Sequence, residues 1–124
     1  MNRRILMIED NPQNRYLEGF LLEASGWELD HAEDGPSGLE LARTVDPVLI
    51  LLDIQLPGMD GYAVAQALRA EPGSAGVPIV AVTSYAMAGD RERCLAAGCD
   101  GYIEKPIDPQ TFVALVERFV PEAG

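Results

Sequence analysis

The stretch Val48-Leu49-Ile50-Leu51-Leu52-Asp53 decides the fold of this 124-residue chain. Five apolar residues follow one another without a polar break and stop at a carboxylate. Such a run reads as a strand buried on both faces. Two-sided burial is the mark of a parallel sheet with helices packed on either side.

Working outward, the same alternation repeats. Ile5-Leu6-Met7-Ile8 is a first apolar run, closed by Glu9-Asp10. Residues 12–25 read as a helix, with Leu17, Phe20, Leu21 and Ala24 at i, i+3, i+4 and i+7 as its apolar face. Pro12 stands in its first turn and Ser25-Gly26 stops it. Trp27 to His31 alternates apolar and polar, with Glu28 and Asp30 on one side, as expected of a half-exposed edge strand. Asp34-Gly35-Pro36-Ser37 opens a second helix that ends before Pro47. After Asp53 comes the loop Pro57-Gly58-Met59-Asp60-Gly61, where Asp60 is placed to cap a third helix ending near Glu71. Pro78 leads into the strand Ile79 to Val82, closed by Thr83. Residues 87–97 read as a fourth helix, stopped by Gly98. Tyr102-Ile103 is the centre of a short fifth strand, which ends at Glu104-Lys105-Pro106. Asp108 as N-cap and Pro109 as first helical residue predict a last helix, with Phe112, Leu115, Val116 and Phe119 as its stripe.

Five strand–helix units in a row predict an α/β fold, (βα)5. They are too few to close an eightfold barrel. The expected form is an open, doubly wound parallel sheet, flavodoxin-like, with strand order 2-1-3-4-5. The units use residues 1–124, so the expectation is one domain with none left for output.

The formal net charge is −11. Nucleic-acid binding needs Lys and Arg to neutralise phosphates, so it is not expected here. No apolar run approaches the roughly 18 residues that span a bilayer, and no separate signal segment precedes the first strand. No membrane association and a cytoplasmic location are expected. Cys94 and Cys99 fit neither a CxxC pair nor a zinc knuckle, and are expected to be buried or half-buried free thiols.

In an open parallel sheet, ligands bind beyond the carboxyl ends of the strands, where strand order reverses. Those ends carry Glu9 and Asp10, Asp53, Thr83 and Lys105. A single strand-end acid is often a solvated loop residue. Three converging acids oppose one another's ionisation, and a divalent cation relieves that. Oxygen ligands with room for water suit Mg²⁺ (or Mn²⁺). Asp10 and Asp53 are the expected direct ligands, with Glu9 reaching the ion through water. Lys105 supplies a compact positive charge and Thr83 a hydroxyl for phosphoryl oxygens, although a surface lysine and a β-prone threonine are the ordinary readings of those two. Before Pro106, a cis peptide is a candidate means of aiming Lys105 inward. A carboxylate such as Asp53 attacks phosphorus to give an acyl phosphate and needs no general base. His31, the only histidine, is expected to lie away from this crevice in a structural or exposed role.

The motif words Ile8-Glu9-Asp10-Asn11, Leu52-Asp53-Ile54-Gln55-Leu56-Pro57-Gly58-Met59-Asp60-Gly61, Val82-Thr83-Ser84 and Tyr102-Ile103-Glu104-Lys105-Pro106 come in this order along the chain. In that order the sequence resembles the receiver domain of two-component response regulators, CheY-like, over essentially its whole length. Thr83 to Asp90 also resembles single-domain regulators of the DivK type and receivers of hybrid histidine kinases. The resemblance implies that Asp53 accepts a phosphoryl group from a phosphohistidine on a histidine kinase or histidine phosphotransfer protein. It implies that Glu9, Asp10, Asp53 and the backbone carbonyl of Gln55 hold Mg²⁺. It implies that Thr83 and Tyr102 are switch residues. Their movement would change the surface of helix four, strand five and helix five, where a downstream protein docks. Gln55 and Tyr85 occupy positions that tune phosphoryl lifetime in the family.

A switch of this kind promotes its own phosphorylation and dephosphorylation and is not a turnover enzyme. A haloacid-dehalogenase-type phosphatase would want a second Asp where Gln55 stands. A flavin-binding flavodoxin would want a neutral phosphate loop where Glu9-Asp10-Asn11-Pro12 stands. A docking receiver that is never phosphorylated, and a receiver cut from a hybrid histidine kinase, are the remaining alternatives.

Overall fold

The computed structural model describes residues 2–56, 58–84 and 89–121. Five strands and five helices alternate: β1 Arg4–Ile8, α1 Pro12–Ala24, β2 Glu28–Ala32, α2 Gly35–Val45, β3 Leu49–Asp53, α3 Gly61–Ala70, β4 Ile79–Thr83, α4 Asp90–Ala96, β5 Gly101–Glu104 and α5 Phe112–Glu117. All strand pairs are parallel, in the order β2-β1-β3-β4-β5. The expected (βα)5 sheet is therefore the one observed. Among the described residues no helix is long and apolar enough to cross a membrane.

The central strands form the core by simple alternation. Side chains in a strand point to opposite faces with a period of two. Leu6, Ile8, Ile50, Leu52, Ile79 and Ala81 face one side, where Val64, Ala65 and Leu68 of α3 pack on them. Ile5, Met7, Leu49, Leu51, Val80 and Val82 face the other, against Leu22 of α1 and Phe112 and Val116 of α5. Every residue of β3 and β4 is buried, so each side chain from Leu49 to Leu52 contributes about 1.5–3 kcal/mol of hydrophobic free energy. Cys94 and Cys99 are buried free thiols.

Helix starts follow the expected chemistry in two cases. Asp34 accepts from the Ser37 N–H at 2.9 Å and Asp60 from the Ala63 N–H at 2.8 Å. Gly61 is required by close approach, since a Cβ there would fall 2.5 Å from the Cα of Ile54.

Two expectations need correction. The buried face of α1 carries Glu18, Gly19 and Leu22, while Leu17 is 37% and Phe20 59% exposed. Adjacent apolar residues such as Leu21 and Leu22 satisfy a 3.6-residue period in two registers, and packing against β2 and α5 chose the other one. Helix α5 begins at Phe112. Pro109 lies in a turn organised by Asp108, whose side chain accepts from the Gln110 N–H at 2.9 Å and whose carbonyl accepts from the Phe112 N–H at 2.9 Å. Helix α4 runs over Asp90–Ala96. The expected start at residue 87, like Tyr85, lies outside the described residues.

Candidate functional site

The strand order makes β1 the neighbour of both β2 and β3. Connections from β1 and β3 leave toward opposite faces, and a crevice opens between their carboxyl ends. Asp53 is the last residue of β3 and Thr83 the last of β4, with Asp53 beside Val82 in the register. Glu9 and Asp10 follow β1 directly. Asn11 then caps α1, accepting from the Gln13 and Asn14 N–H groups at 2.9 and 3.1 Å, and this cap fixes the turn that holds the two acids. Lys105 follows β5 and donates its own backbone N–H to Thr83 O at 2.8 Å. The Lys105–Pro106 peptide is cis, as expected.

These residues meet. Carboxylate oxygens of Glu9, Asp10 and Asp53 lie within 4.8 Å of one another. The Lys105 ammonium is 3.1 Å from Glu9 Oε1 and 3.4 Å from Asp53 Oδ1. The Gln55 N–H donates to Asp53 Oδ1 at 3.0 Å, and the Asn11 N–H to Glu9 Oε2 at 3.2 Å. Glu9 is 1% and Asp53 3% exposed, whereas Asp10 is open to solvent. A cleft of about 260 Å³ leads to them, lined by Asp10, Asn14, Asp53, Gln55, Ser84 and Lys105 among others.

The electrostatics follow from burial. Loss of water pushes the Asp53 carboxyl up to about 6, and contact with Glu9 adds to this, while the Gln55 N–H and Lys105 pull it back. Burial alone would lower the Lys105 ammonium, but the Asp53 and Glu9 carboxylates outweigh it and raise it. Three clustered oxygen acids, one of them held toward its neutral form, make a donor set that suits a hard divalent cation. The residues present fit Mg²⁺.

Two features of the site escaped sequence reasoning. Glu18, from the buried face of α1, lies beneath the cluster at 2% exposure. Burial first, and then its contact with Glu9, pushes its carboxyl up to about 8. The available signal was a lone acid eight residues after Asp10, inside an apolar helix segment. His31 is not remote from the crevice, which corrects the expectation. Its Nε2 lies 2.8 Å from the Glu9 carbonyl oxygen and its Nδ1 3.3 Å from Arg15 Nη1, so it braces the backbone that carries Glu9. Parallel pairing of β1 with β2 brings it there, since Met7 is opposite His31. Tyr102 is half-buried on the α4 side, where its hydroxyl donates to Asp90 Oδ2 at 3.3 Å.

Comparison with known proteins gives the arrangement a family. The response regulator receiver domain model matches residues 5–117. The polar-differentiation response regulator DivK of Brucella ovis is 39% identical over 123 residues, covering 99% of this chain and all of that protein. The receiver domain of a sensor histidine kinase from Pseudomonas aeruginosa, solved with a magnesium ion coordinated in its active-site cleft, superposes with a TM-score of 0.87. It is 34% identical and the match covers 96% of this chain and 98% of that one. The chemotaxis response regulator CheY4 of Vibrio cholerae has a TM-score of 0.90 over 97% of this chain and all of that one, and at 24% identity it shares the fold. With the sheet order, the acid cluster and the full-length DivK relative in agreement, this chain belongs to the response regulator receiver domain family of two-component signalling, and within it is DivK-like.

Proposed function

We propose that Asp53 is the phosphoryl acceptor of this receiver and that the phosphoryl group it carries is a signal to another protein. The observation that carries the reading is a carboxylate at the end of a fully buried strand, 3.4 Å from a lysine ammonium, among acids that fit a divalent cation. The donor is a phosphohistidine on a histidine kinase or a histidine phosphotransfer protein. A carboxylate oxygen of Asp53 forms a bond to phosphorus as the phosphorus–nitrogen bond breaks. The electron pair leaves on the imidazole nitrogen, which picks up a proton.

Asp10, Asp53 and the backbone carbonyl of Gln55 would hold Mg²⁺ (or Mn²⁺), with Glu9 behind them through water. The cation supplies electrostatic stabilisation of the phosphoryl oxygens when bound. The rest falls to the chain itself. Lys105 places its charge, and Thr83 its hydroxyl, where phosphoryl oxygens will sit, and positioning of this kind is most of what a protein contributes to phosphoryl transfer. Hydrolysis of the acyl phosphate resets the switch without making the chain a turnover enzyme. The output is a change in the α4–β5–α5 face, through Thr83 and Tyr102, that a partner protein reads.

The test is direct. Incubation with Mg²⁺ and acetyl phosphate, followed by intact mass measurement, is expected to give one phosphoryl adduct that Asp53→Asn abolishes. An adduct that persists in Asp53→Asn removes the assignment. Wild-type protein that takes no phosphoryl group from acetyl phosphate or any phosphohistidine protein would make this receiver a docking module instead.

A further inference from the structure

Asp90 is a buried carboxylate that the phosphoryl site does not use. It is the first residue of α4 and is 7% exposed. Gly89 before it has φ 88°, a left-handed conformation that glycine adopts without strain. The Asp90 oxygens are shared between two tyrosine hydroxyls from different elements. Tyr62, on α3, donates to Oδ1 in a short contact. Tyr102, on β5, donates to Oδ2 at 3.3 Å. The Arg93 guanidinium covers the Tyr62 ring, 4.2 Å from its centroid. Hydrogen bonds to an ionised carboxylate are about twice as strong as neutral ones. Asp90 thereby ties the start of α4 to β5, and both belong to the proposed output face. Tyr102 lies opposite Ala81 in the β4–β5 register, two residues before Thr83.

We propose that Asp90 is a latch, which holds Tyr102 in the unphosphorylated arrangement and so sets how readily the α4–β5–α5 face responds to Asp53. It is a positioning residue, with no contact to the phosphoryl group. The proposal rests on the phosphoryl reading of Asp53. Tyr62 has the opposite effect within the same triad. A buried carboxylate stripped of its donors is costly. Because Tyr62 stays on Asp90, release of Tyr102 takes away one of the two tyrosine donors and does not strand the carboxylate. A contact present in one state and absent in the other shifts the equilibrium by its own free energy.

The two arms therefore predict changes of opposite sign. Isotope-labelled tyrosine rings would be followed by NMR as Mg²⁺ and beryllofluoride, a stable phosphoryl mimic, are titrated into the full chain. In wild type the Tyr102 signal is expected to move on saturation. In Asp90→Asn the free protein already shows Tyr102 displaced toward that end point. The half-saturating beryllofluoride concentration falls at least about fivefold, the low end for a coupling of this kind. Tyr62→Phe raises that concentration. Tyr102→Phe, which removes only a hydroxyl, lowers it as Asp90→Asn does and guards against a folding defect in the latter.

The latch is overturned if Tyr102 in free Asp90→Asn stays at its wild-type position, or if Tyr62→Phe and Asp90→Asn shift the midpoint in the same direction, as plain loosening would. Failure of the underlying reading looks different. Beryllofluoride would then bind wild type and Asp53→Asn alike, or neither, and the link between latch and phosphorylation falls with it.

Discussion

At the amino end of the sheet, Arg4 on β1 pairs with Glu28 and Asp30 on β2 at 3.1 and 2.9 Å. The Arg4 side chain is 38% exposed and that of Glu28 68%. At the other end of β1, Lys105 faces Glu9 and Asp53 at similar distances, but those three side chains are 12%, 2% and 3% exposed. The residue types and separations are nearly the same. Solvent is what differs. At the amino end water reaches the guanidinium and both acids, with 21% of the Asp30 side chain still exposed. At the carboxyl end one ammonium faces Glu9 and Asp53, with Glu18 packed behind Glu9, and these side chains keep little contact with water. Asp53 is pushed up to about 6 and Glu18 to about 8 as a result. The first cluster is electrostatically content, and the second retains an appetite for a cation and for the chemistry a cation permits.

The comparison can be broken most severely at Lys105. Lys105→Met removes the cation of the buried cluster, and the initial rate of Asp53 phosphorylation by acetyl phosphate is expected to fall about 100- to 1,000-fold, as for loss of one preorganised charge-stabilising group. A rate within threefold of wild type, by the order-of-magnitude standard for a peripheral group, would make Lys105 structural.

Next in size is the cation itself. Mg²⁺ at a hundred times its dissociation constant should stabilise the wild-type fold by about 2.7 kcal/mol in urea unfolding. Asp10→Asn should lose most of that gain. An unchanged urea midpoint with Mg²⁺ would mean that the acids do not form a metal site.

A smaller effect is the pH dependence of the metal-free protein. The folded pKa of Glu18 is raised from 4.5 to about 8, so folding favours its protonated form. That stabilisation is complete below about 4.5 and is lost as pH rises through about 8. Asp53 acts in the same direction between 3.8 and about 6. The urea midpoint should therefore decline across this range, and Glu18→Gln should flatten its upper part. A midpoint that rises between those limits contradicts the burial argument.

The smallest effect belongs to the exposed cluster. Arg4→Ala should lower the urea midpoint by less than any of the changes above, and by less still at high salt, because solvated pairs are screened. A loss as large as those would show that the amino end is less solvated than its exposure implies.

The carboxyl edge was legible in part. Asp53, Glu9 and Asp10 stand where apolar runs end, and a run's end is visible in one dimension. Lys105 and Thr83 were placed by the same rule. Glu18 was not, because nothing in Leu17-Glu18-Gly19-Phe20-Leu21-Leu22 says which side of a helix meets a sheet. An edge strand by itself predicts a remote His31, yet parallel pairing with β1 carries its ring to the Glu9 carbonyl. Asp108-Pro109 predicts that α5 starts at Pro109. The acid–proline signal there marks a turn as well as a helix, and only the backbone bonds from Asp108 separate the two.

By itself the sequence determined the order of strands and helices, the two-sided burial of β3 and β4, and the acids, hydroxyl and lysine at the strand ends. These follow from local periodicity and from where apolar runs stop, and both are properties of neighbours in the chain. The tertiary structure alone decided which face of α1 is buried, that Glu18 backs the acid cluster, and that Asp90 joins Tyr62 to Tyr102. The reason is physical. An amphipathic helix of mixed composition offers more than one register at similar cost, and a carboxylate 28 residues from one tyrosine and 12 from another meets them only after the elements between have packed.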